Sequence, residues 1–143
     1  MTTGLLTADE VRDAWHAAWN TGQVDALDAI LAPQYLRYTA SNREGQGLAA
    51  FKESIALCRA AFPDLSTAIV DLVREGDRIA IRWESAGTHS GSMLGVPPTG
   101  RSVAVSGATF AHLDSGLIHA EHVTWDPRAL LTALGIISLE SGA

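Results

Sequence analysis

Three side chains near the end of the chain are spaced to move protons. Over Ile118 to Trp125, strand alternation puts Ile118, Ala120, His122, Thr124 and Asp126 on one face; His119, Glu121, Val123 and Trp125 share the other. On the preceding strand segment Ala108, Phe110 and His112 share a face. If those faces line a cavity, His112, His122 and Asp126 converge in it, with Phe110 as a flat apolar wall. A carboxylate so placed has a raised pKa, because desolvation disfavours its charge. That moves it toward the range useful for taking a proton beside a carbonyl. A nearby imidazole N–H can polarise the carbonyl or stabilise the enolate. The same three side chains could geometrically hold a metal ion, although no metal is expected. Asp126 also has a plainer reading: it directly precedes Pro127, and Asp-Pro is a favoured helix start. Both roles can hold at once, and His112 can equally be a hydrogen-bonded structural histidine.

Other residues qualify as pocket or wall. Arg82 and Glu84 share a face of the strand Ile-Ala-Ile-Arg-Trp-Glu-Ser, either as a substrate-facing pair or as a structural salt bridge. Trp15, Trp19 and Tyr38 are read as helix core and pocket wall together; aromatic walls suit a flat polycyclic ligand. Cys58, among apolar neighbours, reads as a small buried hydrophobe. His89, in a Gly-Thr-His-Ser-Gly turn, reads as a loop hydrogen-bonding residue.

The elements that must position these residues follow from capping and periodicity. Thr7 and Glu10 form an S/T-x-x-E capping box, and Val11, Ala14, Trp15, Ala18 and Trp19 then mark one apolar helix face up to Thr21. A short helix is expected from Val24 to Leu31, ending before Pro33. Tyr35 to Ala40 has strand composition, and Ser-Asn-Arg-Glu-Gly-Gln-Gly after it reads as a loop. A third helix, Leu48 to Phe62, should carry Phe51, Ile55, Leu57 and Cys58 inward, with Pro63 ending it. Four strands follow, Thr67 to Arg74, Arg78 to Thr88, Val103 to Leu113 and Ile118 to Trp125, separated by Gly- and Pro-bearing turns. Pro127 to Leu134 is a last short helix, stopped by Gly135. Helices first and a strand meander afterwards predict an α+β domain over residues 1–143, its antiparallel sheet curled around the helices with a cavity at the open end.

Composition excludes several classes of function. The chain has 143 residues, enough for one domain, and 47% of them are hydrophobic, enough to fill a core. Its formal net charge is -6 and no Lys/Arg cluster occurs, so no nucleic-acid partner is expected. No stretch approaches the ~20 apolar residues of a membrane span, so no membrane partner is expected either. The opening Met-Thr-Thr-Gly-Leu-Leu lacks a basic leader followed by a long apolar run, and a cytoplasmic location is the expectation. The single cysteine rules out an internal disulfide framework.

A further set of motifs runs along the chain in order: Phe62-Pro63-Asp64-Leu65, Glu75-Gly76-Asp77-Arg78, Gly87-Thr88-His89-Ser90-Gly91 and Gly95-Val96-Pro97-Pro98-Thr99-Gly100-Arg101, then Gly116-Leu117-Ile118, Asp126 and Leu134-Gly135. In this order and spacing the chain resembles the SnoaL-like polyketide cyclases, members of the nuclear-transport-factor-2-like superfamily, from about Asn20 to Gly135. The resemblance implies a cone-shaped α+β barrel with a deep apolar pocket, usually a homodimer or homotetramer. It also implies closure of an aromatic polyketide ring by intramolecular aldol condensation, with no cofactor and no metal. By the same resemblance Asp126 is the acid/base and His112 its assistant; with these, Trp15, Trp19, Tyr38, Arg82, Glu84, Phe110 and His122, read from their spacing, are expected to contact a small hydrophobic, polycyclic substrate. Arg82 and Glu84 also resemble the Arg-x-acid pattern of limonene-epoxide-hydrolase-like relatives, which activate a water; Val123 stands where a second acid would be. Relatives include hydroxylases and proteins of no known activity, so a non-catalytic binding domain is the third reading. One departure alters the pocket wall: Arg37-Tyr38-Thr39 stands where many relatives carry a His-Asp type pair.

Overall fold

The computed structural model describes residues 6–93 and 95–136. Thr7 opens the first helix, α1 (Ala8–Thr21), with its hydroxyl accepting from the Glu10 N–H while the Glu10 carboxylate accepts from the Thr7 N–H. The capping box read from the sequence is therefore formed, and two otherwise free N–H groups are satisfied. A 3-10 helix over Val24–Ala29 follows, shorter than expected, and leads into β1 (Leu31–Thr39). Residues 42–47, expected as a loop, instead form β2 (Asn42–Gly47), antiparallel to β1. Next come α2 (Leu48–Ala61), β3 (Ser66–Glu75), β4 (Arg78–Thr88), β5 (Ser102–Asp114), β6 (Leu117–Trp125) and α3 (Pro127–Ala133).

The six strands form one curved, unclosed sheet in the order β2-β1-β6-β5-β4-β3. The α+β architecture is as expected, with one exception to antiparallel pairing: β1 lies parallel to β6, which returns beside it after the whole meander. α1 is tied across the concave face of the sheet by Asn20, whose side chain donates to the Thr67 carbonyl and accepts from the Thr67 N–H, and by Arg12, which donates to the Ile69 carbonyl. α2 turns Phe51 and Ile55 into the core. Leu57, expected inward, is 65% exposed, because it stands two residues on from Ile55 and so on another side of the helix.

Burial decides which face of each strand is inside. On β5 the covered residues are Val103, Val105, Gly107, Thr109, Ala111 and Leu113, and the intervening Ala104, Ser106, Ala108, Phe110 and His112 face outward. The face carrying Phe110 and His112 is therefore the outer one, contrary to the expectation that it lines the cavity. β6 is not strictly alternating. Its register slips between His112 and Leu113, so that Ile118 turns into the core together with Glu121 and Val123. Such a bulge shifts every side chain beyond it relative to a two-residue count. Strict alternation would put Ile118 on the side of His122; the bulge separates them.

Candidate functional site

The concave side of the sheet and the helices over it enclose a cavity of about 250 Å³. Trp15 and Trp19 come from α1, Ser54 and Cys58 from α2, and Trp83, Ser85 and Val105 from the sheet; Trp125, Leu130 and Met93 also line it. Four indoles and Phe62 thus make the wall a set of flat apolar plates. Gly107 makes room for one of them: a Cβ there would meet Trp83 Cζ2 at 2.4 Å and the Thr124 carbonyl at 2.7 Å. No other residue fits that position without displacing the indole and the backbone behind it.

Most polar groups of the wall are hydrogen-bonded within the chain. Thr67 Oγ1 accepts from Trp15 Nε1 at 3.4 Å and from Ser85 Oγ at 2.8 Å. Trp83 Nε1 donates to Thr109 Oγ1 at 3.2 Å. The Ser54 hydroxyl donates to the Ala50 carbonyl and accepts from Gln46 Nε2. Trp19 differs: its Nε1–H is buried and meets no acceptor among the described residues. Arg37 reaches the cavity from β1, with its guanidinium carbon 4.9 Å from the centre of the Phe51 ring. Cys58 lies at the wall, and burial pushes its thiol pKa up, away from the reactive thiolate.

Behind the wall lies a buried acid. Glu121 stands opposite Arg37 in the β1–β6 ladder and is 5% exposed; its carboxylate accepts from the hydroxyl of Tyr35, also on β1. Desolvation pushes the Glu121 carboxyl above the ordinary carboxylate range, against the smaller opposing effects of the Tyr35 hydrogen bond and the Arg37 charge. Burial likewise raises the Tyr35 phenol, and the neighbouring Glu121 raises it further.

Of the residues singled out from the sequence, Trp15 and Trp19 line the cavity. Tyr38, His122 and His112 do come together, but on the outer face: the Tyr38 and His122 rings stack with centroids 5.0 Å apart, and the His112 ring meets His122 edge-on at 5.8 Å. Phe110 is beside them, 56% exposed. Arg82 and Glu84 are exposed on the same face, where Arg82 pairs with Asp71 at 2.7 Å and lies 3.9 Å from Glu84. Asp126 is exposed at the corner between β6 and α3, and its Oδ1 accepts from the Arg128 N–H as the α3 N-cap, so the capping reading holds. Asp126 is outside the cavity lining, although Trp125 before it and Leu130 after it belong to the wall. Among the described residues no cluster of His, Cys, Asp or Glu is arranged to hold a metal ion.

The loop between β4 and β5 is held by residues that sequence reading assigned to it. His89 is fully buried; its Nδ1 accepts from the Thr99 N–H and is 3.0 Å from the Thr99 hydroxyl, while the Ser90 and Gly91 N–H groups donate to the Ala61 carbonyl at the end of α2. This clasp places Met93 against the cavity. Arg37, Glu121 and Tyr35 were not picked out as site residues. Arg37 was visible as a departure from the family pattern; Glu121 was missed because the face of β6 carrying His122, not the one carrying Glu121 and Val123, was taken as the inner one. No described helix is long and apolar enough to cross a membrane.

Known proteins resemble this arrangement over nearly its full extent. The chain is similar in structure to TsrD from Streptomyces laurentii, with 27% identity, a TM-score of 0.81, and coverage of 92% of this chain and 99% of that one. IdmH from Streptomyces antibioticus, a candidate polyketide cyclase, matches with 26% identity and a TM-score of 0.76 over 90% of this chain and 97% of its own. AclR from Streptomyces galilaeus, a candidate hydroxylase, matches with 26% identity and a TM-score of 0.76 over 89% and 92%. No curated protein matches the chain significantly. A family model described as SnoaL-like polyketide cyclase matches residues 9–134, and the chain belongs to that family.

Proposed function

We propose that the protein binds a flat, largely apolar polyketide-type carbonyl compound in the tryptophan-walled cavity and promotes its intramolecular aldol closure without a cofactor. The observation that carries this reading is the wall itself: four indoles and Phe62 around about 250 Å³, with Arg37 as its charged group. Flat plates hold a flexible carbonyl chain folded, with the nucleophilic carbon near the acceptor carbonyl, and such positioning is a large part of what an intramolecular reaction needs. The Arg37 guanidinium stabilises the enolate oxygen by charge-assisted hydrogen bonding. The carbon acid gives its proton to water, the new C–C bond forms, and the alkoxide takes a proton back. Product and substrate therefore have the same mass.

A binding domain without chemistry is the second reading. It is favoured by one observation: no carboxylate or imidazole is among the described residues lining the cavity. Mass spectrometry of candidate tricyclic polyketide methyl esters and their free acids, incubated with the wild type and with Arg37→Met, separates the two. A product of unchanged mass, formed by the wild type and not by the variant, is expected. A gain of water would move the case to a hydratase, and binding with no product from any candidate would favour the binding domain.

A further inference from the structure

Arg37 poses a problem of charge. Arg37 is half-buried, and on its cavity side a charge that a guanidinium keeps at any ordinary pH faces an apolar wall. Among the described residues no carboxylate comes within 4.0 Å of it. Glu121, its neighbour across the β1–β6 ladder, has its carboxyl taken up by Tyr35, and burial favours the neutral form of that acid. The Phe51 ring under the guanidinium offers only the weak attraction of a ring face for a cation. The guanidinium is the charged group of the cavity wall, and among the described residues it has no acidic partner, so its cavity side is left for something that is not part of the chain.

We infer that the ligand of this cavity enters as an anion, a flat aromatic body bearing one delocalised oxyanion that Arg37 receives. The inference rests on the reading of the cavity as the ligand site, and it specifies the class: an ionised acid in preference to its neutral ester. Two chemistries share that description, a carboxylate and the enolate of a 1,3-dicarbonyl. Both present planar paired oxygens that match the donor fork of arginine. An ionised 1,3-dicarbonyl would also enter already deprotonated, and a cavity wall without a general base would then be no obstacle to carbon–carbon bond formation.

The test compares equilibrium affinities at pH 7, read by calorimetry and by quenching of the cavity tryptophans. Its probes are 2-naphthoate, methyl 2-naphthoate and ionised 2-acetylindane-1,3-dione. At least one anion should bind the wild type about tenfold or more tightly than the neutral ester, the difference expected of one charge-assisted hydrogen-bonded contact. Arg37→Met should remove that preference while leaving the ester's affinity nearly unchanged, and Arg37→Lys should retain part of it. Preference for naphthoate alone identifies the carboxylate, preference for the dione alone the enolate, and preference for both the shared oxyanion chemistry. Equal affinity for acid and ester, no measurable binding of any probe, or a preference that survives Arg37→Met overturns the inference. The wild-type comparison alone decides the matter if the variants do not fold. Because the readout is binding, an absence of turnover would count against aldol chemistry and leave this result standing.

Discussion

The hydroxyl of Tyr35 donates to the carboxylate of Glu121, joining β1 to β6 on the covered face of the sheet. This pair predicts a pH dependence of stability. Burial raises the folded-state pKa of Glu121 above its unfolded value of about 4.3. The fold therefore favours the neutral acid. Its contribution is fully present below the ordinary carboxylate range and is lost as pH rises through the raised folded value. Glu121→Gln, which stays neutral and can still accept from Tyr35, should be at least as stable as the wild type at pH 7, and its stability should fall less between pH 4 and 7. Tyr35→Phe should cost about 1–3 kcal/mol at pH 7, because it leaves a buried acceptor without a donor. Denaturant unfolding of both variants across that range checks the sign; a wild type that gains stability with rising pH through Glu121 would contradict it.

A second prediction concerns the outer face of the sheet. Arg82, His112 and His122 lie on the side away from the cavity, and the Arg82–Asp71 pair is exposed. Exposed ion pairs contribute about 0–1 kcal/mol, and surface substitutions elsewhere stay within about 0.5 kcal/mol. Arg82→Ala and His122→Ala should leave stability within about 1 kcal/mol of the wild type. With His112→Ala, they should also leave the affinity of any cavity ligand unchanged when titrated by tryptophan quenching. A large loss of affinity in any of the three would mean that this face takes part in the site after all.

The way the chain hid these residues is instructive. Helix signals were strong because they are local: the Thr7–Glu10 box, the apolar face of α1 and the Asp126-Pro127 start all appear where their spacing placed them. The extended segments were visible too, except β2, whose Asn, Glu and two Gly are poor strand formers held extended by pairing with β1. Which side of the sheet is inside was not legible. Alternation divides a strand into two faces without saying which one the helices cover, and on β5 the face with the larger and more reactive side chains is the uncovered one. On β6 a single slip in register broke the two-residue count and moved Ile118 to the same side as Glu121. Trp15 and Trp19 were found because a helix can line a cavity only with the face it buries. Arg37 was noticed only as a departure; nothing local in the sequence told that its charge ends among indoles.

Asp126 gives the sharpest contrast between the sequence and the fold. Its Oδ1 accepts from the Arg128 N–H, its side chain is exposed, and α3 begins immediately after it. Asn caps a helix about as well as Asp, whereas Ala costs about 1 kcal/mol at such a position. Asp126→Asn should therefore keep the stability of the wild type to within about 0.5 kcal/mol, and Asp126→Ala should lose about 1 kcal/mol through fraying of α3. Because Leu130 of α3 belongs to the cavity wall, fraying should also weaken ligand binding modestly in the Ala variant and not in the Asn variant. Acid/base work by Asp126 would reverse this order for turnover: Asn, lacking an ionisable carboxylate, would be as inactive as Ala despite its intact cap. Thermal unfolding and turnover measured on the same two variants distinguish these roles. If ring closure persists in Asp126→Asn and fails in Arg37→Met, the charge that matters to the reaction is the cation inside the cavity. If closure fails in Asp126→Asn while that variant melts like the wild type, the carboxylate at the corner of β6 takes the proton, and Arg37 is left with binding alone.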